Sequence, residues 1–358
     1  MAELFSFLLG LAAFYSIYQM LALSLNLEYG YGGLPNFGKV MFFAGGAFVT
    51  GALLTRLVAL SLGAPPDMVW DVSKFKIYNT LLATRGSGYL ATNPLLALTL
   101  FALMLVLGAG VGALLGILAS YPAVRLREDY LGVTLIVSGE LLRIVARNYE
   151  PLVCGTLGVS VPNLFAWAGT YSELIKVGSM VAVSTATVLL INIMVNSPYG
   201  RALRAMRDQE AAAASLGKDV VLLKIKTLAV GSAIAGAAGS MYAMYLGAVV
   251  ADEFTPLKTF IVWLMVVMGG AGNNAGACLG ALTYIGIDRA LTLFKHLIPL
   301  PFDVNYLYYT VMGVALILLL MYRPEGILPE RPGRLYATTE ISSDSISSDS
   351  RGGQAAPH

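Results

Sequence analysis

Long apolar runs separated by short polar stretches organise most of this chain. A helix crossing about 30 Å of hydrocarbon needs roughly 20 apolar residues. Stretches of that kind occupy residues 4–27, 40–62, 94–119, 176–195, 225–250 and 305–322. A shorter segment, 130–145, carries Glu140 and Arg143 within it. Two further stretches, 260–268 and 276–294, flank the sequence GGAGNNAG and are either two spans or a re-entrant hairpin beside one span. The pattern predicts an all-α fold: a polytopic transmembrane helix bundle of about 8–9 spans, with a Gly-rich hairpin near 269–276.

Composition sharpens this picture. The chain is 57% hydrophobic and 12% charged, against about 25% charged residues in soluble domains, so a bilayer is its solvent. The first run lacks a basic leader and a small-residue cleavage site and reads as a retained span. Cys154 and Cys278 are too few and too far apart for a disulfide framework. His296 and His358 are the only histidines, which argues against a His-ligated metal. The net charge of +2, without a basic block, gives no reason to expect nucleic acid. From residue 336 the chain turns to Ser, Asp, Thr and Gly, with ISSDS repeated at 341–345 and 346–350. Such a segment buries too little apolar surface to offset its ordering entropy. Residues 1–335 therefore form one transmembrane domain, and 336–358 a disordered Ser/Asp-rich tail.

The charge that remains is concentrated in residues 196–226, NSPYGRALRAMRDQEAAAASLGKDVVLLKIK. Placing this loop inside by the excess of Lys and Arg also places Arg125, Arg127, Arg323, Arg331 and Arg334 inside. The longer 61–93 and 148–172 connections then lie outside. The amino terminus falls outside and the carboxyl terminus in the cytoplasm, which requires an odd number of crossings. Within the loop, Pro198 suits a first helical turn and Gly217 suits a helix stop. Arg201, Arg204 and Arg207 recur every third residue and drift slowly around one side of the helix they predict. Asp208 and Glu210 follow, and Ala211 and Ala212 begin an alanine run that leaves a smooth face. A solvated basic loop is the plain reading; a structured helix with a smooth face and a glycine stop favours a docking surface.

Small residues recur at helical spacing in three rows: Gly108, Gly112 and Gly116; Ser232, Gly236 and Ser240; Gly272, Gly276 and Gly280. In lipid such rows let backbones approach closely, and helix packing is their simplest role. No G-x-x-x-x-G-K-[ST] sequence occurs, so the chain has no P-loop to cradle nucleotide phosphates. No H-E-x-x-H or G-x-S-x-G motif is present either.

The stretch RALRAMRDQEAAAASLGKDV resembles the cytoplasmic coupling loop of ABC importer permeases and, more closely, that of branched-chain amino acid uptake permeases. NLEYGYGGLPNFGKVMFFAGGAF (26–48), DYLGVTLIVSGELLRIVARN (129–148), VVMGGAGNNAGACLGA (266–281) and YRPEGILPE (322–330) are similar to further segments of that family, in order along the chain. The set resembles the M-type permease rather than its H-type partner. Glu210 and Gly217 are one residue further apart than in the general coupling-loop pattern, and its distal Leu-Pro is absent.

The resemblance implies a transport subunit rather than an enzyme, with no cofactor bound by this chain. It implies multi-pass insertion in a prokaryotic cell membrane and a path for hydrophobic amino acids such as Leu, Ile or Val. Its implied partners are cytoplasmic ATP-binding cassette subunits, a homologous second permease and an extracytoplasmic substrate-binding protein. The coupling loop would then be Arg201, Arg204, Arg207, Asp208, Glu210, Ala211, Ala212 and Gly217. Two other places stand out. Glu140 and Arg143 are three apart on one helix and either neutralise each other near the lipid interface or line the path. Around Asn26, a stretch with Glu28, Gly30, Gly32, Gly33 and Pro35 breaks the helix between the first two spans, as a surface turn or as part of the path. The alternative class, an ion-coupled secondary transporter, needs acids at the midplane; Glu140 and Asp288 are the plausible ones, and no inverted repeat is visible.

Overall fold

The apolar runs form helices that pass back and forth between two ends of the molecule. A computed structural model describes residues 2–126, 128–295, 310, 313–314, 317–318, 321–322 and 325–330. The first run is helix α1 (Ala2–Leu25), continued by a π-helical turn over Asn26–Tyr31. After a turn come α2 (Lys39–Ser61), the short α3 (Pro66–Trp70), α4 (Val72–Thr92), α5 (Pro94–Arg125), α6 (Glu128–Asn148) and α7 (Glu150–Val153). Then follow α8 (Ser172–Asn196), α9 (Pro198–Asp208), α10 (Glu210–Ser215), α11 (Val220–Leu246), α12 (Leu257–Gly269) and α13 (Asn274–Lys295). Two strands of two residues, β1 (Val159–Ser160) and β2 (Ala248–Val249), pair antiparallel with Val159 opposite Val249. Among the described residues, five helices are long and apolar enough to cross a membrane. The chain is an all-α polytopic membrane protein. The expected span 305–322 lies mostly outside the described residues, and the tail from 336 lies wholly outside them.

Helix α2 is the centre. Phe42, Phe43, Phe48 and Leu54 are among its fully buried side chains, and Phe43 and Phe48 meet Phe254 at 5.5 and 5.0 Å. On one side of it, α5 and α11 run antiparallel along the first two small-residue rows. A Cβ on Gly108 would stand 1.9 Å from Ser240 Oγ, one on Gly112 2.2 Å from the Ser232 carbonyl, and one on Gly116 2.7 Å from the Leu228 carbonyl. Close packing is therefore their role, as their spacing suggested. The third row is only partly right. Gly276 and Gly280 abut the backbone of α12, but Gly272 lies in the interhelical turn at φ +80°.

The 61–93 stretch, expected as a connection, holds α3 and α4. Lys74, Lys76 and Arg85 interrupt its apolar pattern, so length alone did not reveal a helix. It packs through Arg56, whose guanidinium lies 4.3 Å from the Phe75 ring centre and donates to the Val69 and Pro151 carbonyls. Asn79 Oδ1 accepts from Ser160 N, so the 61–93 and 148–172 stretches share one end. The antiparallel α5–α11 seam sends Arg125 to the other end, where α9 and α10 lie.

Candidate functional site

The polar loop is two helices, not one. Ser197 is extended and its hydroxyl accepts from Tyr199 N, which caps α9, and Pro198 occupies the first turn. Gly200, Leu203 and Met206 face inward. The single helix expected over 201–217 breaks at Gln209, which is extended (φ −158°, ψ 102°). Intrinsic propensity gives no break there; the tertiary ties of its neighbours impose one. Helix α10 then ends as expected. Gly217 takes φ +76°, its N–H bonds the Ala214 carbonyl, and Lys218 N–H bonds the Ala213 carbonyl. That double bond pattern favours glycine, because other residues resist the left-handed region.

The corner between α9 and α10 has an anchored side and a bare side. Arg207 reaches inward: its Nη1 donates to the Gly30 carbonyl in the π-helical turn and pairs with Glu330 Oε2 at 2.9 Å, and Nε bonds Asp208 at 3.2 Å. Burial works against its charge, yet Glu330 and Asp208 more than offset this and raise its pKa. Arg204 donates to the Val195 carbonyl and sits 5.4 Å from the centre of the Tyr31 ring. Of the three arginines expected on a docking face, Arg201 alone is exposed. Glu210 is paired through both oxygens with Lys224 at 2.9 Å, which ties α10 to α11. Ala211, Ala212, Ala214 and Gly217 are exposed, and Leu216 is 79% exposed.

Beneath the corner lies a buried polar network. Contrary to the expected break around Asn26, helix α1 widens there into a π turn and stops at Tyr31. Such turns concentrate at functional sites. Asn26 is fully buried; its Oδ1 accepts from Gly272 N at 2.8 Å and its Nδ2 donates to Asn274 Oδ1 at 3.1 Å. Asn274 in turn donates to Asn192 Oδ1 at 2.7 Å. A Cβ on Gly30 would stand 2.5 Å from Gly272 N, so glycine is what lets this turn touch the hairpin.

Glu28 is a buried acid that sequence reasoning placed in a turn and left out of the intramembrane acids. Both Glu28 and Lys39 are 0% exposed, and Lys39 Nζ lies 2.8 Å from Glu28 Oε2, as an ion pair outside hydrogen-bond geometry. Asn36 donates to the same oxygen at 2.8 Å, while Glu28 Oε1 lies buried against Gly231 without a hydrogen-bond partner. Lys39 was missed because a lysine at the start of an apolar run reads as an interfacial charge.

Glu140 and Arg143 do pair, through Arg143 Nε to Glu140 Oε2 at 3.0 Å and Nη2 to Oε1. Arg143 also holds Asp252 at 2.7 Å, so the pair ties α6 to the 251–253 turn. They lie away from the corner. At the corner itself, a cleft of about 760 Å³ is lined by Asn192, Asn196 and Arg204 on one side and Asn273, Asn274 and Cys278 on the other.

Similarity to known proteins bears on what this arrangement serves. Residues 7–320 match the family described as branched-chain amino acid transport system / permease component. The chain is 34% identical to the probable branched-chain amino acid transport permease protein LivM of Methanocaldococcus jannaschii over 89% of its own length and 92% of that protein. It is 28% identical to the high-affinity branched-chain amino acid transport system permease protein LivM of Salmonella typhimurium, covering 87% and 68% of the two chains. With the LivH permease of the corresponding Escherichia coli system it shares 25% identity over 87% of its length and 91% of that protein. No solved structure matches. The match across the bundle, the corner and the Gly-rich hairpin shows that this chain belongs to the permease components of branched-chain amino acid transport systems.

Proposed function

We propose that this chain is one membrane subunit of an ABC importer for hydrophobic amino acids, with ATP hydrolysed on separate cytoplasmic chains. A substrate-binding protein would deliver cargo at the other end, and a homologous permease would form the second half of the path. The observation that carries this reading is the two-sided corner. Its bare side, Ala211, Ala212, Ala214, Leu216 and Gly217, offers a smooth apolar knob, and its anchored side is bolted through Arg207 to the end of the first span. A partner that favours one position of α10 would thereby bias the position of the π turn and the Gly-rich hairpin. That is what coupling between two states requires. Under this reading the corner, Arg125 and Lys224 face the cytoplasm and the start of α1 lies outside. The names of the relatives, together with the apolar bundle, favour Leu, Ile or Val as cargo.

The test is Gly217→Trp in the complete complex reconstituted in liposomes. Nothing lies within 4 Å of a Cβ at this position, so the indole projects from the knob rather than into the bundle. A non-glycine residue at this φ costs roughly 1–2 kcal/mol, which a bundle of this size tolerates. The protein should stay in the membrane while ATP-driven leucine uptake falls to background. Uptake at the wild-type rate would refute the docking role. Uptake by wild-type protein on an ion gradient without ATP would refute the importer reading and favour a secondary transporter.

A further inference from the structure

The network under the corner extends into a polar seam. Along α1 and its π turn, Gln19 and Asn26 are seven residues apart; on α8, Ser184, Val188, Asn192 and Asn196 recur every four; on α13, Asn274 and Cys278 are four apart. Side chains join these rows. Ser184 Oγ donates to Gln19 Oε1 at 2.6 Å, Gln19 Nε2 to Cys278 Sγ at 3.2 Å, and Asn274 Nδ2 to Asn192 Oδ1 at 2.7 Å. From Gln19 to Asn26 the seam climbs about 10 Å along α1. It opens at the corner end into the 760 Å³ cleft, which Arg204 and Glu330 also line.

Among the described residues, α5 and much of α6 turn apolar faces outward. Helix α5 shows Leu95, Val106, Leu114 and Leu118, and α6 shows Val133, Val137 and Leu141. Those are surfaces for lipid. Polar side chains at membrane depth must be paired, and these pair with one another, while half-buried Asn192 and exposed Asn196 mark the side that opens into the cleft. A branched-chain amino acid crossing the membrane has the matching problem. Its side chain is content in an apolar path, but its ammonium and carboxylate need replacements for water. A carboxamide both donates and accepts, so one asparagine serves either end of the zwitterion. The cleft volume lies within the 300–1,000 Å³ usual for small-molecule sites.

We propose that the α1–α8–α13 seam is this chain's wall of the amino-acid path. Gln19, Asn192 and Asn274 hydrogen-bond the zwitterionic head group in passage, and Arg204 receives the carboxylate at the mouth. This rests on the importer reading and adds to it the residues that meet the cargo.

The native Cys278 makes the test direct, because Cys154 is 1% exposed and Cys278 borders the cleft. In the complete complex trapped with ATP and vanadate, the rate of Cys278 modification by a small cationic methanethiosulfonate is measured with and without saturating leucine. Leucine should slow it several-fold, and isoamyl alcohol, which lacks the zwitterion, should not. Cys278→Trp should lower ATP-driven leucine uptake at least ten-fold with the complex still assembled. Absence of uptake by wild-type complex would sink the importer reading itself. Wild-type complex that imports leucine, combined with labelling indifferent to leucine or full uptake by Cys278→Trp, would overturn the seam alone.

Discussion

Replacing Lys39 by methionine keeps most of the side-chain volume and removes one charge from a fully buried site. Both partners of the Glu28–Lys39 ion pair are fully buried, and Asn36 donates a hydrogen bond to the same carboxylate oxygen. Breaking a buried pair from one side costs about 3–5 kcal/mol, whereas replacing both partners by neutral groups is often close to neutral. Lys39→Met and Glu28→Gln should therefore each lower stability by about 4 kcal/mol, roughly a thousand-fold in the folding equilibrium. The double variant should lose far less than their sum, giving a coupling of at least about 3 kcal/mol in a double-mutant cycle. Reversible unfolding in mixed micelles, followed by tryptophan fluorescence, reads this. Trp263 is a local probe, since its indole N–H donates to the Asn36 carbonyl at 3.1 Å and its ring stacks on Phe37 at 4.4 Å. Additive single effects, or single variants within 1 kcal/mol of wild type, would show that the pair is not held as a buried couple.

Two further predictions separate packing from transmission. Gly112→Leu should sharply lower the yield of monodisperse protein, because its Cβ would stand 2.2 Å from the Ser232 carbonyl and overpacking of this kind costs roughly 1–3 kcal/mol or more. Gly110→Leu, two residues away with open space at its Cβ, should behave as wild type; equal yields for both would refute the close α5–α11 seam. Arg207→Lys retains the charge but not the fork that reaches the Gly30 carbonyl, Glu330 and Asp208 together. It should leave assembly intact and lower leucine uptake per ATP hydrolysed several-fold; an unchanged ratio would remove Arg207 from the coupling path.

The bundle was legible because its signals are long and local. Apolar runs, four-residue rows of small residues and a glycine at a helix end each state their meaning within one or two turns of helix. The network was not, because each member has a plausible local role that conceals its partner. Asn26 looks like a helix breaker until Gly272 and Asn274 arrive from the far end of the chain. Arg204 and Arg207 look like solvent charges on a basic loop until Tyr31, Gly30 and Glu330 are placed against them. The row Ser184, Asn192 and Asn196 was the one signal in reach, since polar residues spaced by four or eight inside an apolar run mark a face turned away from lipid.

The placement of Arg207 gives the proposed coupling a physical constraint. Its contacts run to two elements outside its own helix, the π turn at the end of the first span and Glu330 near the end of the described residues, while the adjacent Asp208 braces its guanidinium within α9. Hydrogen bonds to a charged group contribute about 1.5–3 kcal/mol each, so a displacement of α9 that breaks them is costly and one that carries Gly30 and Glu330 along is cheap. The knob on α10 hangs from this fork on one side and from the Glu210–Lys224 pair on the other. That pair is largely exposed on the glutamate side and worth about 0–1 kcal/mol. A push on the knob therefore yields first at Lys224 and is delivered through Arg207 to the π turn, whose Asn26 holds the hairpin that walls the cleft. The strong link lies on the proposed path to the cargo, and the weak one lies off it.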